Sequence, residues 1–299
     1  MKQLLLATSV CWTVLLLWLS IQVDGKTIEV GTAKELSDAL ESVKPGDTIK
    51  LADGTYHSKF VAETSGTKSA PITLTGSRKA VLSGSNYGFW LKANHWHLRG
   101  FTVTNSNKGI VLDGGNHNLL EELEVHNIKQ EGIHFRLHSS DNVLRNSYIH
   151  TTGTGSPGFG EGVYIGSAVS NWPDGKPDKS DRNEVSGNRI GPDVAAEEID
   201  IKEGSCCGII KDNTFDGTGM SGENYADSWI DVKGEGYTIE NNSGDHTLLD
   251  GIQIHIVKDA DMGGCGNKIV HTSCKHLAKK GVCVNDTTKN CKDPNIIEK

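Results

Sequence analysis

Residues 161–166 read Glu-Gly-Val-Tyr-Ile-Gly, and their central line, Gly-apolar-x-apolar-x, recurs along the chain. It returns as Gly109-Ile-Val-Leu-Asp113, Gly132-Ile-His-Phe-Arg136, Glu198-Ile-Asp-Ile-Lys202, Trp229-Ile-Asp-Val-Lys233, Gly251-Ile-Gln-Ile-His255 and Gly281-Val-Cys-Val-Asn285, with Gly88-Phe-Trp-Leu-Lys92 as an earlier member. Alternation of apolar and variable residues is the period of a β-strand. The first apolar positions fall at 110, 133, 163, 199, 230, 252 and 282, separated by 22 to 36 residues. A further strand follows most lines, as in Val143-Leu-Arg145, and Asn recurs at the turns, where it tolerates left-handed backbone and can stack into ladders. Such rungs predict an all-β chain, a single-stranded right-handed parallel β-helix (solenoid). A β-sandwich would not explain the same five-residue line so many times.

The ends of the chain read differently. Leu4 to Leu19 is almost wholly apolar after a basic start, which predicts a secretory signal peptide over residues 1–25 and a secreted protein. The apolar run is short for a membrane span. Residues 26–299 then form one β-helix domain with no linker. Thr32-Ala-Lys-Glu35 is a capping box opening a short N-terminal capping helix whose apolar face is Leu36, Ala39, Leu40 and Val43. Six Cys remain after the signal, at 206, 207, 265, 274, 283 and 291, and an even number in an exported chain suggests disulfides and a stapled C-terminal end. Two sequons for N-glycosylation begin at Asn241 and Asn285. The net charge of −8 disfavours a nucleic-acid partner. A monomer is expected, with no membrane contact after signal cleavage.

Stacking the rungs places the chemistry. The first outward column reads Trp90, Val111, His134, Tyr164, Asp200, Asp231, Gln253, Cys283, and the second reads Lys92, Asp113, Arg136, Gly166, Lys202, Lys233, His255, Asn285. Two residues before the first apolar position stand Glu131, Glu161 and Glu197 on successive rungs. Like charges about 5 Å apart repel, and a hard cation such as Ca²⁺ turns that cost into affinity. These three glutamates are the candidate metal ligands. His134, Asp200, Asp231 and Trp172, the last in the irregular insertion Ser167 to Lys179, are candidate substrate-binding residues.

These residues resemble the pectate lyase-like superfamily of secreted right-handed β-helices. Ala33 to Tyr56 is similar to the capping region of its chondroitinase B and alginate lyase branch, and Pro71-Ile-Thr-Leu74 fits the first full rung. In that branch a calcium-binding glutamate lies five residues before a lysine that acts as base, the spacing of Glu197 and Lys202. Ala195 stands where the branch has a second acid, so Glu161 of the preceding rung is the expected substitute. Asp231 and Lys233 occupy the rung where the branch carries an arginine. The resemblance implies calcium-assisted β-elimination on an acidic, uronic-acid polysaccharide. Lys202 is the expected base, and Tyr164, Lys233, Arg136 or His255 the proton donor. A polygalacturonase-type hydrolase would need paired carboxylates, which Asp200 and Asp231 could supply only at about 5 Å. A non-catalytic carbohydrate-binding β-helix would need aromatic platforms, and the columns hold few.

Overall fold

The computed structural model describes residues 25–84, 86–260 and 262–298. The segment read as a signal peptide lies almost wholly outside them. No helix among the described residues is long and apolar enough to cross a membrane.

The chain winds into a solenoid with three faces, one sheet of eleven strands and two of nine. Every pairing between these strands is parallel, each strand bonding to its equivalents one turn before and one turn after. One turn runs through Leu119–Glu121, Glu124–His126 and Ile133–Arg136, and the next through Val143–Arg145, Tyr148–His150 and Val163–Ile165. The apolar positions of the repeated line fill the interior: Ile110, Ile133, Val163, Ile199 and Ile230 are fully buried, as are Leu112, Phe135, Ile165, Ile201 and Val232. Each such side chain is worth about 1.5–3 kcal/mol of apolar transfer.

The recurring Gly before the line has a steric cause. A Cβ on Gly132 would stand 2.7 Å from Gly162 O, and one on Gly162 would stand 2.7 Å from Glu198 O. The turns are sharp corners: Glu122, Asn146, Asp212 and Asn241 all hold left-handed φ between 51° and 56°. Asn side chains then stitch the turns together. Asn142 Oδ1 accepts the backbone N–H of Asn118 at 2.9 Å, and Asn183 Oδ1 accepts that of Asn142 at 3.0 Å. A second ladder runs through Asn188, Asn213 and Asn242.

Helix α1 (Ala33–Ser42) plugs the N-terminal end, with Leu36, Ala39 and Leu40 buried. Its capping box is formed: Thr32 Oγ1 accepts the N–H of Glu35, and Glu35 Oε2 accepts that of Thr32. The six cysteines pair as Cys206–Cys207, Cys265–Cys291 and Cys274–Cys283. The last rung departs from the sequence alignment. Ile252 pairs with Val284 and Gln253 with Asn285, two residues beyond the expected register. Cys283 therefore does not extend the outward column. It is tied to Cys274 on the neighbouring sheet, and Val282, expected inside, is 48% exposed.

Candidate active site

The strands Ile133–Arg136, Val163–Ile165, Ile199–Ile201 and Ile230–Val232 lie side by side on one face. Register places His134 opposite Tyr164, Tyr164 opposite Asp200, and Asp200 opposite Asp231. The outward column is thus continuous across these rungs. A groove of about 670 Å³ lies over it, lined by Lys108, Glu131, His134, Arg136, Phe159, Glu161, Tyr164, Lys202, Asn224 and the start of the insertion loop. That loop is pinned by buried Asp178. Its carboxylate accepts the N–H groups of Leu137 and His138 and the hydroxyls of Ser167 and Ser180.

At the floor of the groove Lys202 Nζ sits 2.5 Å from Asp200 Oδ2 and 5.1 Å from the centre of the Tyr164 ring. Asp200 Oδ1 accepts from Lys233 Nζ at 2.9 Å, and Lys233 also lies 2.5 Å from Asp231 Oδ2. Burial works against the charge of Asp200, but the two ammonium groups outweigh it and hold its pKa below the usual range. Burial likewise works against Lys202 and Lys233, and the Asp200 charge outweighs it, holding both above the ordinary lysine range. Burial pushes the Tyr164 phenol well up, and the charges of Asp200 and Glu161 add to that.

Glu161, Glu197 and Asp200 each bring one carboxylate oxygen within 4.8 Å of the others. Burial, reinforced by Asp200 and Glu131, pushes Glu161 up to about 8. Burial and Asp200 push Glu197 up as well. Glu161 Oε2 is buried with no hydrogen-bond partner. An orphaned oxygen beside a second disfavoured carboxylate is what a hard cation satisfies, so Glu161 and Glu197 fit such an ion. Asp200 completes the triangle, yet both its oxygens are already engaged by lysines.

Several sequence expectations need correction. Glu131 does not join the acidic cluster. It is ion-paired with Lys108 through both oxygens, and His134 Nδ1 stands 3.6 Å from its Oε1. Lys108 stands at the equivalent position one rung earlier, two residues before Ile110. Trp172 is not part of the groove lining. Its indole N–H donates to Ser167 O at 2.9 Å, which folds the insertion back on itself. His255 lies outside the groove, hydrogen-bonded to Gln253 and Thr287. Lys233 is held between Asp200 and Asp231, and its side chain is about as exposed as that of Lys202. Arg136 lines the groove but is clamped by both oxygens of Asp113 and by the Tyr87 hydroxyl, and a guanidinium does not release its proton. Of the four expected proton donors, Tyr164 and Arg136 line the groove, and of these two the Tyr164 phenol carries the transferable proton. Asp200 and Asp231, the hydrolase pair, are both engaged by Lys233, and Asp200 is held ionised rather than as an acid.

Phe159 and Asn224 enter the groove from outside the repeated lines, on single-turn 3₁₀ segments at Pro157–Phe159 and Glu223–Tyr225 that pack together. No repeat signal marks them; exposed aromatics in irregular insertions were the available clue. A hollow of about 860 Å³ beside the Cys206–Cys207 and Cys265–Cys291 disulfides is larger. Its charged side chains, Glu235, Lys289, Lys292 and Asp293, are exposed, so it lacks the buried, perturbed groups of the groove.

Known proteins share this fold. An alginate lyase from Paenibacillus sp. str. FPU-7 is 38% identical, superposes with a TM-score of 0.80, and is matched over 92% of this chain and 98% of its own. The chain belongs to the β-helical polysaccharide lyases. Residues 21–163 match the family model described as Pel9A-like, right handed beta helix region. Pectate lyase L of Paenibacillus polymyxa (strain SC2) is 27% identical over 159 residues, 44% of this chain and 35% of the relative. Pectate lyase L of Dickeya dadantii (strain 3937) is 27% identical over 130 residues, 37% of this chain and 31% of the relative. The alignments thus span about a third of these curated relatives. Pectate lyase Pel9A, at 17% identity and a TM-score of 0.68 over 92% of this chain and 80% of its own, shares the fold.

Proposed function

We propose that the chain is a secreted lyase that cleaves a uronic-acid polysaccharide by β-elimination. The observation that carries the reading is the placement of Lys202 beside Tyr164 on the floor of one groove. β-Elimination needs a base for the C5 proton and an acid for the leaving O4. In this reading the neutral Lys202 amine takes the C5 proton. The C4–O4 bond breaks as the C4–C5 double bond forms, and Tyr164 gives its phenolic proton to O4. Solvent then carries a proton from Lys202 back to Tyr164. Arg136 and His134 line the same groove and bind the sugar. A calcium ion at Glu161 and Glu197 would, when bound, offset the substrate carboxylate's charge and lower the pKa of Lys202. The near full-length relative at 38% identity is an alginate lyase, which supports alginate over pectate as the substrate.

The test is ultraviolet absorbance of the unsaturated product on alginate, pectate and other uronans, with calcium and with a chelator. Wild type, Lys202→Ala and Tyr164→Phe are compared. Absorbance lost in both variants supports the assignment. New reducing ends without absorbance would replace the lyase with a hydrolase. Activity indifferent to the chelator would remove calcium from the mechanism and leave the Lys202–Tyr164 pair in place.

A further inference from the structure

On another sheet of the solenoid, three successive rungs end in acidic and imidazole groups that the groove does not use. Strands Thr214–Asp216, Ser243–Asp245 and Ser273–Lys275 pair in register, so that Asp216 stands beside Asp245. His246 and His276 follow the second and third of these strands at left-handed corners, with φ of 57° and 45°. The corner geometry turns both rings to one side, where they stack 5.2 Å apart. Both Nδ1 atoms then point at one carboxylate oxygen. His276 Nδ1 lies 2.6 Å and His246 Nδ1 3.3 Å from Asp245 Oδ1, and His246 Nδ1 is 3.8 Å from Asp216 Oδ1.

We propose that Asp216, Asp245, His246 and His276 form a binding site for a late first-row divalent cation, best met by Zn²⁺. Four ligand atoms at about 2.0–2.1 Å from a tetrahedral zinc stand about 3.3 Å from one another. The observed separations of 2.6, 3.3 and 3.8 Å bracket that edge; Asp245, His246 and His276 hold their ligand atoms within 4.8 Å of one another, and Asp216, which reaches His246, rotates to join them. Two imidazoles and two carboxylates are a donor set for zinc rather than for calcium, which takes oxygen ligands in larger number. Ring stacking alone does not produce this arrangement. Among the described residues two other histidine pairs stack, His95 with His117 and His126 with His150. Among the described residues, neither has both rings on a shared carboxylate. An ion here would tie three rungs together through side chains, close to the end of the solenoid where Cys274–Cys283 ties the same face to the last rung.

The experiment uses full-length mature protein without a histidine tag, calorimetric titration with Zn²⁺, and Co²⁺ absorption as the reporter of geometry. Wild type is compared with His246→Ala/His276→Ala and with Glu161→Gln/Glu197→Gln. The expected result is one zinc per chain, tetrahedral Co²⁺ bands, and a Zn²⁺-dependent rise in Tm. All three are lost in the double-histidine variant and kept in the double-glutamine variant. Equal zinc binding in the wild type and the double-histidine variant overturns the site, as does no binding to wild type. Both histidines are more than half exposed, so their replacement leaves the fold intact, which circular dichroism checks.

Discussion

Lys202 lies over the ring of Tyr164 from the adjacent rung, 5.1 Å from its centre, while Asp200 holds the same ammonium from the side. One strand register therefore sets the distance between the two groups assigned to proton transfer. Loss of either should leave a folded protein with little activity. Lys202→Ala should lower kcat/KM by about 10³-fold or more, and Tyr164→Phe by about 10²-fold, the usual worth of a positioned base or acid. Circular dichroism should match wild type. A Tyr164→Phe enzyme with near wild-type turnover would move the donor role elsewhere.

The Asp200–Lys202 pair makes a prediction about pH. Asp200 raises the pKa of Lys202, and the reactive form of Lys202 is the neutral amine. Removing the Asp200 charge lowers that pKa and enlarges the neutral fraction at a given pH. The rising limb of the pH profile of kcat/KM should shift to lower pH in Asp200→Asn. A limb that stays in place would show that another group titrates.

Glu131 and Lys108 make a prediction about stability. Burial opposes the Glu131 charge, but contact with His134 and Lys108 outweighs it and lowers the pKa from 4.5 to about 2. A carboxyl depressed in the folded state stabilises fully above its unfolded pKa and loses that contribution as pH falls through the folded one. Wild-type stability should therefore fall between about pH 4.5 and pH 2 by more than that of Lys108→Met, measured by urea unfolding across that range. Lys108→Met should also be the less stable protein at neutral pH, because Glu131 loses its partner.

Glu198 occupies the position where the two preceding rungs carry Gly132 and Gly162. Its carboxyl is fully buried, both oxygens lack a partner, and burial pushes its pKa well up. An unpaired buried polar group costs about 1–3 kcal/mol. Glu198→Met, apolar and of similar length, should raise stability by about that amount at neutral pH, read as a higher denaturation midpoint. A destabilised variant would mean that the carboxyl has a partner in solution.

Phe159 stands 59% exposed at the edge of the groove. Its face is available for stacking on a sugar ring, worth about 1 kcal/mol. Phe159→Ala should raise KM about fivefold and leave kcat within about twofold, since the ring binds ground state and transition state alike. A fall in kcat with unchanged KM would contradict that role.

Much of this site was legible before any coordinates, because a parallel solenoid converts sequence alignment into spatial columns. His134, Tyr164, Asp200 and Asp231 were placed in one line by counting from the repeated Gly, and the register has them there. Counting failed at the last rung, where the Cys274–Cys283 disulfide accompanies a two-residue change of register. It also failed to separate free charges from spent ones. Glu131 and Glu161 occupy equivalent positions, yet one is paired with Lys108 and the other has an orphaned oxygen.

The amino-acid sequence by itself determined the rung length, the inward and outward residues and the column of chemistry. Strand alternation and the steric need for Gly at the rung-to-rung approach are local and repeat with every turn. Only the tertiary structure decided which acids are neutralised by lysines, that Tyr164 and not Lys233 or His255 lines the groove, and that Phe159 and Asn224 help wall it. Those outcomes depend on side-chain reach between rungs and on insertions packing against each other. Neither follows a period that a sequence can display.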